Sequence, residues 1–78
     1  MKSDNLIWMA NKIGEFFETM PDREEALDDI ANHIRKFWEP RMRRGLLAAL
    51  DTDEALTIRD IVLAALRKHR ADLEPALA

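Results

Sequence analysis

Apolar residues recur at helical spacing along most of the chain and predict four helices. In the first segment they return every three or four residues, as one face of a helix requires: Leu6, Ala10, Ile13, Phe17 and Met20. The second and fourth segments show the same period, and no stretch alternates with the two-residue period of a strand. The predicted fold class is therefore all-α, a small single-domain bundle of about four short helices.

Proline and glycine positions set the predicted boundaries. Pro21 and Pro40 separate the first three helices, because proline disfavours helical geometry in the preceding residue and suits the first turn of a new helix. Ser3 or Asp4 is predicted to cap the first helix and Thr57 the last. Gly14 indicates close packing of the first helix against a neighbour. The predicted helices span 4–19, 21–38, 40–50 and 57–70, and 71–78 is a predicted tail of the single domain, 1–78.

Composition narrows the class of protein. The chain has 78 residues, a net charge of −3 and no cysteine, so disulfides and Cys-ligated zinc or iron–sulfur sites are excluded. Apolar runs such as Leu46 to Leu50 are far shorter than the ~20 residues of a membrane span. The first residues do not resemble a signal peptide. We expect a cytoplasmic protein with no membrane contact.

Charge is distributed unevenly along the chain. Residues 15–29 carry seven acids and one base, whereas residues 35–44 carry five bases and one acid. Three of these bases, Arg41, Arg43 and Arg44, fall in the first turn of the predicted third helix, where the helix dipole disfavours cations. A sequence choice that opposes local stability is a candidate for function.

The residue types that carry catalysis are sparse. Asp29 and His33 are four apart on a predicted helix, which is at most half a metal site, and His69 is predicted to close the apolar face of the last helix. The few hydroxyls lie at predicted helix ends, and no nucleophile–base pair can be assigned to them. The sequence therefore predicts a protein that is not an enzyme.

The apolar excess favours a binding surface. Besides Met1, eight large aromatic or methionine side chains occur within the first 42 residues, and Trp, Met and Arg are enriched at interfaces. We expect Phe17, Met20, Ile34 and Phe37 in the core. The predicted partner-binding residues, with Trp38 and the residues after Pro40 pointing outward, are Trp8, Phe16, Arg35, Trp38, Arg41, Met42 and Arg43. Their target would be a carboxylate-rich protein surface or a phosphate.

Two alternative functions use the same residues. A small helical nucleic-acid-binding domain would use the basic cluster, although a pI near 5.3 argues against it. A self-associating helical adaptor would bury the aromatics in a homo-oligomer of the isolated chain.

Two blocks of the sequence resemble a known family. The first contains Leu6-Ile7, Met9-Ala10-Asn11, Ile13-Gly14 and Phe16-Phe17, and the second runs from His33 to Arg43 as His-Ile-Arg-Lys-Phe-Trp-Glu-Pro-Arg-Met-Arg. Their order and separation are similar to those of the small delta subunit of soluble NAD-dependent formate dehydrogenases. The resemblance covers residues 5–50, with mild departures at Lys12 and Ile34. Residues 51–78 add nothing to it.

The resemblance implies a non-catalytic accessory subunit of a molybdenum or tungsten enzyme that oxidises formate to carbon dioxide and reduces NAD. It implies assembly or stability support for the holoenzyme through contacts with the large catalytic subunit. The parent complex would hold molybdopterin guanine dinucleotide, iron–sulfur clusters, FMN and NAD. No cofactor is expected in this chain.

Overall fold

Helices account for the secondary structure of residues 2–75, the part of the chain that the computed structural model describes. The helices are α1 (Ser3–Phe17), α2 (Arg23–Phe37), α3 (Pro40–Ala49), a 3-10 helix (Asp53–Thr57), α4 (Asp60–Lys68) and α5 (Arg70–Leu73). No strand occurs within these residues. The predicted all-α fold class is confirmed.

The helix ends follow local chemistry in some places and tertiary contacts in others. Asp22 caps α2, and its carboxylate accepts a hydrogen bond from the Glu25 amide at 3.1 Å. The predicted cap of the first helix was wrong, because the residue before α1 is Lys2 and it makes no side-chain cap bond. Pro40 is in the first turn of α3, as predicted.

Thr57 does not cap the last long helix. Its hydroxyl donates instead to the Glu54 carbonyl at 2.7 Å, and α4 begins only at Asp60. The side chain of Asn11 on α1 holds this junction, since its amide donates to the Thr57 carbonyl and its oxygen accepts from the Arg59 amide at 2.9 Å. The start of α4 is therefore fixed by a residue 48 positions earlier in the chain.

The core lies where the inward faces of α1, α2, α3 and α4 meet. Helix α2 packs most extensively against α4, and α1 packs against both α2 and α3. Each helix contributes side chains with almost no solvent exposure, which include Leu6, Ile30, Ile34, Leu46, Val62 and Leu66. Phe17 and Met20 are partly buried against this cluster, and Ile34 is fully within it, as predicted.

Gly14 permits the close approach of α1 and α4. A Cβ atom at this position would lie 2.5 Å from Val62 Cγ2 and 3.3 Å from Ile61 Cγ2. Neither distance can be accommodated without moving a buried side chain. The interpretation of Gly14 as a packing position is confirmed.

The segment after α4 is packed rather than free as far as it is described. The last predicted helix breaks at His69, and α5 then carries Leu73 into the core with 1% of its surface exposed. The prediction that the tail begins at residue 71 was therefore wrong, and residues 76–78 of that tail lie outside the described part. Within residues 2–75, no helix is both long enough and apolar enough to cross a membrane.

Candidate partner-binding surface

Aromatic side chains of α1 and α2 form a surface called here the aromatic face: Trp8, Phe16, Phe17, His33 and Phe37. The last four make a chain of ring contacts, and Trp8 lies two turns before Phe16 on α1. The Phe16 and Phe17 rings meet edge to face at 5.1 Å between centroids, and Phe17 lies 6.4 Å from His33. His33 in turn lies 4.8 Å from Phe37. Trp8, Phe16 and Phe37 have 63%, 74% and 72% of their surfaces exposed. When such aromatics bind a partner, they lose little conformational freedom, and a large apolar area is removed from water.

The helical period places Trp8 and Phe16, two members of this face, on one side of α1. Trp8, Lys12 and Phe16 are four residues apart and share a stripe, whereas Leu6 and Ala10 face the core. The Lys12 ammonium lies 5.4 Å from the Trp8 ring centroid and 3.4 Å from a Glu15 carboxylate oxygen. The stripe is therefore apolar at its ends and charged in the middle.

A groove runs between α1 and α2 within this face. It is lined by Lys12, Ile13, Phe16, Phe17 and His33 and has a volume of about 280 Å³. Its walls are almost entirely apolar, with the Lys12 and His33 side chains as the polar groups. The groove can accept an apolar side chain from another molecule.

Phe37 and Trp38 exchange the roles that the sequence predicted for them. Trp38, expected on the surface, is buried with 6% exposure, and Phe37, expected in the core, is exposed. Helix α2 ends at Phe37, and Trp38 has extended backbone angles of φ −91° and ψ 139°. Because Trp38 is outside the helix, its side chain does not follow the helical phase. Pro40 restricts the backbone of Glu39, the residue directly before it, and so gave no local signal for Trp38.

Arg43 and Met42 also depart from the predicted outward orientation. Arg43 Nη1 donates to the Leu73 carbonyl at 3.4 Å, so this side chain binds the end of α5 within the same molecule. Its Nε is buried without a hydrogen-bond partner in the described part of the chain. Met42 is half-buried and packs against the core. The contact with Leu73 gives Arg43 an intramolecular function that the sequence alone did not reveal.

The remaining predicted residues lie in separate places. Arg41 is exposed beside a groove between α1 and α3. Arg35 is exposed on the opposite side of α2, in a groove shared with His69 and Asp72. Only Trp8 and Phe16 of the predicted set belong to the aromatic face, and its other members, Phe17, His33 and Phe37, were not predicted there.

Ion pairs hold α4 and α5 to the rest of the molecule. Lys68 bridges Glu24 and Asp28 of α2 at 2.8 and 2.9 Å, and His69 Nε2 lies 2.7 Å from Asp28. The hydrogen bond from Lys68, followed by that with His69, lowers the pKa of Asp28. The prediction that His69 closes an apolar face was wrong, because its ring nitrogens face the carboxylates of Asp28 and Asp72.

Two arginines make bidentate pairs across helices. Arg70 binds both oxygens of Asp51 at 3.0 and 2.8 Å, which lowers the pKa of Asp51 and raises that of Arg70. Arg59 binds both oxygens of Glu18 at 3.3 and 3.0 Å, and this contact raises the pKa of Arg59. These pairs neutralise the charges around α4 and α5.

The hydroxyl groups and histidines form no reactive constellation in the described part of the chain. Thr19, Thr52 and Thr57 each donate to a backbone carbonyl three residues earlier. Within residues 2–75, no group of three His, Asp or Glu side chains is arranged to hold a metal ion. The most prominent surface features that remain are the aromatic face and the arginines of α3.

The fold and this surface define a small all-α protein with exposed aromatic and basic groups of the kind enriched at protein–protein interfaces. Residues 5–66 match the family model described as NADH-dependent formate dehydrogenase delta subunit FdsD. The chain therefore belongs to the family of delta subunits of formate dehydrogenase. The match extends past residue 50, where the sequence resemblance stopped, and includes most of α4. No curated protein and no solved structure matches the chain significantly.

Proposed function

We propose that this chain is a non-catalytic accessory subunit that supports assembly or stability of the formate dehydrogenase holoenzyme. In this proposal it binds the large catalytic subunit through the aromatic face. The observation that carries the proposal is the exposure of Trp8, Phe16 and Phe37 on one surface of a chain whose family belongs to that enzyme complex. A cytoplasmic location is part of the same proposal.

The size of the aromatic face supports a binding function. An aromatic side chain can bury about 150–250 Å², so three that are about two-thirds exposed offer roughly 300–500 Å². This is the area of the largest apolar patch on a typical monomer, and such patches are often functional. Covering them with a partner removes them from water without any change in the fold.

The chemistry of the chain supports a role apart from the redox reaction. The sequence has no cysteine, so no thiolate can bind an iron–sulfur cluster. The three threonine hydroxyls are engaged by nearby backbone carbonyls. We therefore place molybdopterin guanine dinucleotide, the iron–sulfur clusters, FMN and NAD on the other subunits of the complex.

The test is retention in the purified complex. A Phe16→Gln/Phe37→Gln variant removes two exposed rings, and Leu56→Gln is the control because Leu56 is an apolar side chain, 87% exposed on the 3-10 helix, that is not a member of the aromatic face. Interface aromatics that act as hot spots contribute about 2 kcal/mol or more each. Loss of both, about 4 kcal/mol if the two contributions add, should therefore weaken binding about 700-fold, since 1.4 kcal/mol is a factor of ten.

Each variant is co-expressed with the other subunits, and its stoichiometry in the complex is measured after gel filtration. We expect the double variant to be depleted and Leu56→Gln to be retained, with both chains helical by circular dichroism. Equal retention of the two variants would refute the proposed surface. Sedimentation of the isolated chain checks self-association, and a dimer that the double variant abolishes would assign the face to a second copy.

A further inference from the structure

A second groove, between α1 and α3, combines an apolar floor with a cationic rim. Leu6, Met42 and Ala48 form the floor, and Arg41 and Arg44 stand at the rim of a space of about 290 Å³. This volume is near the low end of the roughly 300–1,000 Å³ typical of small-ligand pockets, which favours one or two side chains as occupants. We call it the α1–α3 groove.

Gly45 sets the depth of this groove. A Cβ atom at Gly45 would lie 2.7 Å from Leu6 Cδ1, so the absence of a side chain there lets α3 lie directly against Leu6. The floor is thus built by two helices in close contact. It is a preformed surface that needs no rearrangement to accept an apolar group.

The rim arginines differ from the three cations that form ion pairs around α4 and α5. Arg59, Lys68 and Arg70 each contact a carboxylate at 3.0 Å or less. Arg41 and Arg44 make no ion pair with any residue between 2 and 75 and are exposed in the first half of α3, where the helix dipole disfavours a positive charge. A carboxylate supplied by another molecule would give these arginines an ion-pair partner and would offset their unfavourable interaction with the helix dipole.

We propose that the α1–α3 groove binds an acidic segment of another formate dehydrogenase subunit, with an apolar side chain on the floor and a neighbouring carboxylate on the rim. The proposal rests on the proposed function. Arginine suits this role because its planar fork can hold a carboxylate through two parallel hydrogen bonds. Glu39 also lines the groove and opposes any anion, a single carboxylate less than the closely spaced charges of a phosphate backbone, which favours a protein segment over nucleic acid.

The experiment compares two charge reversals of equal size. Arg41→Glu/Arg44→Glu reverses the rim, and Arg23→Glu/Arg67→Glu reverses two exposed arginines of α2 and α4 that make no ion pair within the described residues. Each variant is co-purified with the other subunits at 50, 150 and 400 mM NaCl. We expect the rim variant to be retained at least tenfold less than the control at 50 mM, with the difference narrowing at 400 mM because salt screens charge. Equal retention of the two variants at every salt concentration would overturn the proposal.

Ala48→Trp tests the floor without changing charge. Ala48 is exposed on α3, so the larger side chain fills the groove while the helix is kept. We expect reduced retention, and normal retention would show that the groove is not occupied. If Phe16→Gln/Phe37→Gln is lost from the purified complex while the rim variant stays in it, the groove proposal alone fails. If the aromatic variant is retained as well, the proposed function fails.

Nucleic acid is the remaining occupant to be tested. Fluorescein-labelled 20-nucleotide DNA and RNA are titrated with the parent chain and the rim variant at 50 mM NaCl. We expect no saturable binding. Binding that is lost in Arg41→Glu/Arg44→Glu, together with normal retention of that variant in the complex, would assign the groove to nucleic acid and overturn the proposal.

Discussion

Substitution of Gly14 by alanine is the sharpest test of the packing between α1 and α4. Alanine is favoured over glycine in a helix interior by about 1 kcal/mol, so local propensity predicts a more stable protein. The structure predicts the opposite, because the new Cβ would lie 2.5 Å from Val62 Cγ2 and 3.3 Å from Ile61 Cγ2. Val62 and Ile61 are buried and β-branched, so neither can rotate away without leaving its rotamer.

The magnitude follows from these opposing effects. Overpacking in a close-packed core costs about 1–3 kcal/mol, and the stiffness of both neighbours places Gly14→Ala toward the upper end. After the gain in helix propensity, we expect a net loss of about 1–2 kcal/mol in the free energy of unfolding. This corresponds to a fall in Tm of roughly 4–16 °C for a domain of this size.

A double-mutant cycle identifies the cause. Val62→Ala alone removes buried methyl groups and destabilises by about 2 kcal/mol. In Gly14→Ala/Val62→Ala the removed Cγ2 makes room for the new Cβ, so the two costs should not add, with a coupling of about 1–2 kcal/mol. Gly45→Ala is the control, because its Cβ would meet only the flexible end of Leu6. We expect a smaller loss of stability from this substitution than from Gly14→Ala.

The assay is urea unfolding followed by circular dichroism at 222 nm, with stability compared at a common m-value. If Gly14→Ala is as stable as the parent or more stable, helix propensity outweighs packing. Strict additivity in the cycle would show that Val62 is not the residue it meets. The first result would refute the close contact between α1 and α4, and the second would refute its assignment to Val62.

Two further predictions concern the buried tryptophan and the acidic network. Trp38→Ala should lower the free energy of unfolding by about 3–5 kcal/mol, which is comparable to the whole stability of a core this small. Trp8→Ala, at an exposed position, should change it by less than about 0.5 kcal/mol. Equal Tm values for the two variants would contradict the burial of Trp38. The pKa of Asp28 is lower in the folded chain than its ordinary value of 3.8, so the unfolded chain takes up the proton first as pH falls. The ion pairs of Asp28 therefore stabilise the fold above pH 3.8, and this stabilisation is lost as pH falls through the folded pKa. Asp28→Asn should flatten the fall in stability below about pH 4, and an unchanged pH profile would exclude the contribution.

The sequence by itself determined the presence of the four long helices and part of the core. Helical period and proline breaks are local properties, and they gave the all-α class, the boundary at Pro40, the packing role of Gly14 and the inward position of Ile34. The exposed positions of Trp8 and Phe16 also follow from the phase of α1, because both lie away from Leu6 and Ala10 on the helix surface.

Only the tertiary structure decided which side chains at the α2–α3 corner face outward. Helical phase cannot place Trp38, because this residue lies beyond the helix and its extended backbone directs the ring into the core. The contact of Arg43 with Leu73 joins positions 30 residues apart, and that of His69 with Asp28 joins positions 41 residues apart. No local pattern encodes such contacts, since they exist only after the helices have packed. Three expected contact residues, Trp38, Met42 and Arg43, thus support the fold, and Phe37 joins Trp8 and Phe16 on the surface.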